Sequence, residues 1–383
     1  MPASKYISWE LDEHTTTHET RATDWELQRV VMPAGKMKAG AIYMIYTWAN
    51  CFSPGTQDGG TKWAFVGGGD LPGSTQERYD TNSSGMAICH LGTFTAAATP
   101  LPIGIYRRIL VDDSETEVTK AGQCFIVDVS SHVDNQIEFP FKNVDDYTLR
   151  EVGIGGVLES IELDLPGGAQ YLVLGTAKVR GGGGNPTKLG LYHEGTLVSS
   201  GSRYAVDGQD NNQVVLGGIY NVSSGDVFQI KNIDDDTSAT TNYTYMAALN
   251  IGVGANTCDT GRLTTWTDLG ASGKWTPTTA ASDAGDSFVF AFARQQATGI
   301  GNGRQASISV RNNTQGTWMS FPHRPSGEFS PHYFPATEVG VNVGQYSTAA
   351  VVGSVGSDAP VVSGDEIQVY TIYILASRRK AEV

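Results

Sequence analysis

Two histidines four residues apart, His14 and His18, form the most metal-like cluster in this 383-residue chain, flanked by Asp12, Glu13 and Glu19. On a helix, residues at i and i+4 share a face and could close on one ion. The intervening Thr15, Thr16 and Thr17 disfavour a helix, since β-branched side chains lose rotamer freedom there. In a strand the two rings stand roughly 13 Å apart at about 3.3 Å per residue, too far for one coordination shell. No metal is expected, and the segment reads as a polar arm, residues 1 to about 24, suited to ordering on docking.

The other chemical candidates are weaker. Asp207-Gly208-Gln209-Asp210-Asn211-Asn212 and Asp234-Asp235-Asp236 have the composition of calcium loops without the ligand spacing of an EF-hand, so they read as polar turns. Gly181 to Gly184 lack the Lys-Ser/Thr and following helix of a phosphate-binding loop. There is no Gly-x-Ser-x-Gly, and none of the seven histidines sits in a triad context. Asp112-Asp113 and Asp145-Asp146 are adjacent, so in a strand each pair points to opposite faces. No catalytic residue, no metal and no cofactor is expected, and the chain does not read as an enzyme. The best binding-surface candidates are Trp275, His323, Arg324, His332 and Tyr333. They lie in loop-like aromatic and proline-rich stretches that suit a ligand or an inter-subunit contact alike.

The elements that would carry these residues are strands. Gly is abundant at 46 residues and charged residues make up only 17%. Short apolar or alternating runs separated by Gly, Asn, Asp and Pro predict an all-β protein of tandem antiparallel sandwiches, jelly-roll-like. The best helix candidate, Asp24 to Val31, could equally be a strand. Trp9, Trp25, Trp48, Trp63, Trp266 and Trp318 mostly fall in apolar runs and are assigned to the core.

A faint repeat sets the number of sandwiches at three. A glycine, an aromatic three residues on and an apolar run recur at Gly40/Tyr43, Gly168/Tyr171 and Gly285/Phe288, with spacings of 128 and 117 residues. A second run follows at Thr61 to Val66, Thr187 to Tyr192 and Arg304 to Val310. A third strand, opened by a glycine turn, is read at Gly122-Gln123, Gly225-Asp226 and Gly364-Asp365. The expected divisions are residues 1–145, 146–254 and 255–383, with the first copy the weakest match.

A formal net charge of −14 repels nucleic acid and anionic membranes. No apolar run approaches the roughly 18 residues of a membrane span, and Met1 to Tyr6 lacks the apolar core of a signal peptide, so folding in a cytoplasm is expected. Cys51, Cys89, Cys124 and Cys258 share no metal-type spacing and read as reduced, buried thiols.

Val222 to Ile230, followed by Tyr243-Thr244-Tyr245-Met246-Ala247-Ala248-Leu249, resembles the final strands of a jelly-roll domain of the C1q/tumour-necrosis-factor type. Gly364-Asp365 matches its Gly-Asp turn, and Gly122-Gln123 departs from it. The resemblance implies trimerisation through one face, so that three linked copies would form a covalent pseudo-trimer. In composition and layout the chain also resembles virion structural proteins of tailed bacteriophages. That implies a capsid decoration or cement protein acting by surface binding, assembled in the host cytoplasm and located in the virion. Its partners would be other capsid or tail proteins, with a homo-oligomer as a further candidate. The alternative is a head- or tail-associated fibre or knob protein recognising host surface glycans.

Overall fold

The computed structural model describes residues 8–14, 17–52, 59–78, 86–110, 117–130, 141–148, 150–163, 169–180, 186–204, 212–233 and 239–250, together with the backbone of nine further strands between 258 and 375. The first unit comprises β1 (Ser8–His14), β2 (His18–Thr20), β3 (Glu26–Met32), β4 (Ile42–Phe52), β5 (Gly59–Phe65), β6 (Gln76–Arg78), β7 (Met86–Thr95), β8 (Ile103–Ile109) and β9 (Glu117–Asp128). The second comprises β10 (Phe141–Asp146), β11 (Arg150–Val152), β12 (Val157–Leu163), β13 (Ala169–Arg180), β14 (Pro186–His193), β15 (Thr196–Tyr204), β16 (Asn212–Val222), β17 (Asp226–Asn232) and β18 (Ala239–Asn250). The third comprises β19 (Cys258–Arg262), β20 (Thr267–Asp268), β21 (Lys274–Trp275), β22 (Ser287–Gln296), β23 (Arg304–Asn312), β24 (Trp318–His323), β25 (His332–Glu338), β26 (Tyr346–Ser354) and β27 (Glu366–Leu375).

The strands of each unit, lettered A, A′ and B to H in chain order, pair in one pattern. One sheet runs A-H-C-F with A′ also on H: β1-β9-β4-β7, β10-β18-β13-β16 and β19-β27-β22-β25. The other runs B-G-D-E: β3-β8-β5-β6, β12-β17-β14-β15 and β21-β26-β23-β24. Paired strands are antiparallel throughout. Crossing between two four-letter sheets in this order is the double Greek key of a jelly roll. The chain is three tandem jelly-roll sandwiches.

Side chains from both sheets fill each described core. In the first unit Val31, Tyr43, Ile45, Trp63, Ile105 and Ile126 pack together; in the second, Leu158, Tyr171, Val173, Leu191, Phe228 and Met246 do so. Each such side chain contributes about 1.5–3 kcal/mol of burial.

Several expectations change. The polar arm is partly built into the first sandwich: β1 and β2 pair with β9, His14 opposite Gly122 and His18 opposite Thr119. An alternating segment needs only one partner strand to satisfy its backbone, which its polarity concealed. The Asp24 to Val31 segment is strand β3, and the one helix among the described residues is the 3-10 turn Ala34–Lys36. Strand β10 begins at Phe141 and pairs with β18, so a division at 145/146 would cut it.

The first two repeat elements are equivalent: they open or form the C strands and the D strands. The third is not. Gly122 lies inside the H strand of the first unit, Asp226 opens the G strand of the second, and Glu366 begins the H strand of the third. A glycine before an apolar strand is generic to β turns, so it aligned strands of different rank.

Candidate interaction interface

In the first two units the sandwich core accounts for one face of the A-H-C-F sheet. On β18, Met246 and Ala248 point into the core of the second unit. Strand alternation then sends Tyr243, Tyr245 and Ala247 out of that sandwich. Nevertheless Tyr243 is 2% exposed, and Tyr245 and Ala247 are 1% exposed. The same holds on β13 for Leu172 and Leu174, on β4 for Met44, Tyr46 and Trp48, and on β9 for Phe125 and Val127, all buried. By contrast, the B-G-D-E sheets of the first two units alternate buried with half-exposed residues, as at Lys62, Tyr106, Arg108 and Glu159. A sandwich with one outer face this apolar and dry must be covered by something outside it.

Over Tyr243 and Tyr245 the cover is the first unit of the same chain. The Tyr243 hydroxyl donates to the Leu91 carbonyl at 2.9 Å, and the Tyr245 hydroxyl shares a hydrogen bond with Thr93 Oγ1. The Tyr243 ring lies 6.3 Å from His90, which stacks on Trp63 at 6.1 Å. Tyr147 closes over Tyr243 at 5.3 Å.

Two glycines shape the slot. Gly73 follows Pro72 in a turn closed by Ser74 N–H on the Leu71 carbonyl at 3.1 Å, with φ +70°. A Cβ there would lie 2.5 Å from Tyr243 Cε2, and one on Gly92 would lie 3.1 Å from the Tyr243 hydroxyl. Burial raises the phenols: Tyr243 and Tyr245 lie above their ordinary value, and Tyr147 is pushed up to about 12, with the Asp145 charge adding to its shift. All three hydroxyls stay protonated at neutral pH; Tyr243 donates, and in the Tyr245–Thr93 pair either hydroxyl can be the donor.

The third unit completes the arrangement. Strand β16 lies against β6 and β7 of the first unit and against β27 of the third, while β24 of the third lies against β7. These contacts join the first unit to both others and the second to the third. The contact of β7 with β24 is F with E, as is that of β16 with β6, so one kind of strand contact recurs where the first unit meets each of the others.

The residues singled out in the sequence do not converge. Trp275 sits on β21 and His323 on β24, the two opposite edges of one sheet, with Trp275 paired to Thr348 and His323 to Ala306. His332 and Tyr333 sit on β25 of the other sheet, paired with Ala293 and Phe292. Arg324 lies outside the described residues, as do Gly181 to Gly184, Asp207 to Asn211 and Asp234 to Asp236. Among the described residues no three His, Cys, Asp or Glu side chains come within metal-binding reach. Cys51, Cys89 and Cys124 are buried free thiols, and burial pushes Cys124 up.

Asp226 has a structural task. It accepts from the Ser223 amide at 2.9 Å and lies 2.7 Å from His193 Nε2, tying the D–E hairpin to the F–G turn. Burial alone would raise its carboxyl, but the Ser223 amide and the His193 ring hold it below the ordinary range. Glu194, in the left-handed region at φ 47°, closes that hairpin with Gly195, its amide donating to the Val227 carbonyl at 3.0 Å and its carboxylate accepting from the Val227 amide.

Tyr243, Tyr245, Leu91, Thr93, Gly73 and Gly92 went unrecognised as an interface. The available signal was the continuous apolar run of the C and H strands, as in Tyr43 to Tyr46, Tyr171 to Leu174 and Cys124 to Val127. A strand covered on one face only would alternate there.

No family model matches the chain, and no curated protein matches it. Among solved structures it is similar to PNGF-II, with 9% identity over 89% of this chain and 100% of that one at a TM-score of 0.30. It is also similar to a chain of Sulfolobus turreted icosahedral virus, with 9% identity over 96% and 92% at 0.21. A third similar chain, from the triple jelly roll and turret assembly of an archaeal virus, shows 10% identity over 96% and 91% at 0.19. The fold assignment rests on strand order, not on these superpositions.

Proposed function

We propose that the chain is a non-catalytic structural protein: a preassembled block of three sandwiches that works by surface binding. The observation that carries this reading is the apolar A-H-C-F face, buried on the side away from its own core and pinned by Tyr243 and Tyr245. Such a chain commits its inner faces to itself. The B-G-D-E faces, their edges and the turns remain for a partner. The virion setting, as a capsid decoration or cement protein bound to other virion proteins, is supported by the resemblance in composition and layout to phage structural proteins. Rigid blocks bound in many copies gain strength from repeated modest contacts.

The test has two stages. Light scattering and solution scattering should give a monomer of 40.9 kDa with a compact three-lobed outline. Co-sedimentation with capsid shells of the phage encoding the chain should then saturate at a fixed copy number per shell. Binding to a glycan panel without shell binding would move the reading to a fibre or knob protein, and turnover on that panel would refute the non-catalytic role.

A further inference from the structure

We infer that the outer B-G-D-E face of the second unit is an incomplete docking site, finished by a carboxylate that a partner protein brings in on an apolar-flanked loop. The inference rests on the surface-binding role proposed above, and it names the surface and the chemistry of its partner. The first unit shows the finished form. On its outer face Lys62 of β5 lies opposite Tyr106 of β8, with Nζ 4.9 Å from the centre of the Trp25 ring and 5.8 Å from that of Tyr106. The Asp70 carboxylate meets that Nζ at 2.7 Å. Leu27 packs over Gly104 on the same face. Asp70 belongs to the D–E connection, residues 66–75. That connection folds back, so that Asp70 bridges to Ala64 and the Leu71 amide donates to the Trp63 carbonyl at 2.9 Å.

The second unit has the same build without the acid. Lys231 of β17 lies between Val157 of β12 and Gly190 of β14, and its Nζ stands 4.7 Å from the centre of the Tyr192 ring. Leu197 and Tyr192 pack over Gly190, where a Cβ would lie 2.6 Å from Leu197 Cδ1 and 3.0 Å from Tyr192 Cε2. Here the D–E connection is only Glu194 and Gly195, so no loop returns to the face. Glu194 is committed to the Val227 amide, and Glu159 accepts from Thr244 Oγ1 at 3.0 Å. Among the described residues no carboxylate pairs with Lys231. Around it Val157 and Leu197 are 39% and 43% exposed, and Ile154, in the turn leading into β12, is 66% exposed. Exposed aliphatic side chains grouped about a fixed cation suit a protein surface that covers them and supplies the opposite charge. A sugar would need a bare aromatic face, whereas the Tyr192 ring lies against Gly190 and carries Lys231. The occupant is therefore a protein loop with Asp or Glu beside an aliphatic residue, taking the part that Asp70 plays in the first unit.

Co-sedimentation of the full chain with the capsid shells tests this on the unsubstituted protein, Lys231→Glu, Leu197→Ser and, away from the face, Lys38→Glu. Lys231→Glu should weaken shell binding at least about tenfold and Leu197→Ser at least about threefold, with Lys38→Glu unchanged. Should Lys231→Glu fail to fold, Lys231→Gln takes its place, with a loss of at least about threefold. A folded Lys231 variant that binds shells as tightly as the unsubstituted chain overturns the inference and leaves the surface-binding role standing. If the unsubstituted chain binds no shells, that role fails, and a displayed random-peptide library panned on the immobilised full chain decides the inference. Enrichment of peptides with Asp or Glu beside an aliphatic residue, lost on Lys231→Glu, upholds it, and no such enrichment overturns it. A glycan that binds the unsubstituted chain but not Lys231→Glu would put a sugar in place of the loop and overturn it likewise.

Discussion

Removing the Tyr243 side chain tests the interface directly. Its hydroxyl is bonded to the Leu91 carbonyl and its ring fills the slot between Gly73, Gly92, His90 and Tyr147. Tyr243→Phe keeps the ring and removes the buried hydrogen bond to the Leu91 carbonyl, which costs about 1–2 kcal/mol. Tyr243→Ala also empties the slot, and loss of a buried aromatic ring costs about 3–5 kcal/mol. The first two units together are of a size at which 1 kcal/mol moves the midpoint by about 2–4 °C. Tyr243→Phe should therefore lower Tm by about 2–8 °C with one transition retained. Tyr243→Ala should split the calorimetric transition of those units in two, because each sandwich keeps its own core but loses its neighbour. The control is Tyr106→Ala, a half-exposed ring on the outer sheet that meets Lys62, at 5.8 Å, and is expected to cost under about 1 kcal/mol. If Tyr243→Ala costs no more than the control and the units still melt as one block, Tyr243 does not hold the seam.

Other consequences are measurable on the same material. Gly73→Ala places a Cβ at φ +70° and against the Tyr243 ring, so calorimetry should show a loss of at least about 2 kcal/mol, exceeding that of Gly69→Ala, where a Cβ meets nothing. Alkaline titration should weaken the seam. Folded-state values for Tyr243 and Tyr245 lie above the unfolded value, so their contribution is complete below about pH 10 and is lost above it. The expected slope is about 1.4 kcal/mol per pH unit for each phenol, followed by chemical denaturation at stepped pH, and the slope should shrink in Tyr243→Phe. Asp226 behaves oppositely: its folded value lies below the unfolded one, so its stabilisation holds above the ordinary carboxylate range and fades as pH falls through the folded value. Asp226→Asn should flatten acid unfolding in that window. Glu194→Ala should cost about 1–2 kcal/mol in urea melts, since it keeps the left-handed strain and loses the acceptor for the Val227 amide.

Fold class was legible because strand patterning and glycine turns are local. The C and D strands could be equated across the chain because each pairs a turn with a long apolar run, as at Gly40 to Tyr46 and Thr61 to Val66. The G and H strands could not. Gly225-Asp226 is a local turn held by Ser223 and His193, and such a turn can precede a strand of any rank. The interface was hidden for a different reason. Tyr243 and Tyr245 have the composition of core residues, and only the observation that Met246 and Ala248 already occupy the core side reveals that the tyrosines face outward. Their partners, Leu91 and Thr93, lie about 150 residues away, and one is engaged through its backbone carbonyl, which leaves no trace in side-chain type. Trp275, His323 and Tyr333 drew notice as aromatic and cationic residues near prolines, yet pairing distributes them over three separate strands.

The faintness of the repeat has a physical origin. Three identical sandwiches associating as separate chains must present the same H and F residues at every seam, because one sequence serves all three. Fusing them removes that constraint. By strand register Tyr243 and Tyr245 correspond to Ile367 and Val369 in the third unit, and Tyr245 to Gln123 in the first. Core positions face no such freedom, since each sandwich must still fill its interior, as Tyr43 and Tyr171 do in the first two. What survives as a repeat is therefore the inward-facing C strand. What is free to drift is the surface by which one unit recognises the next.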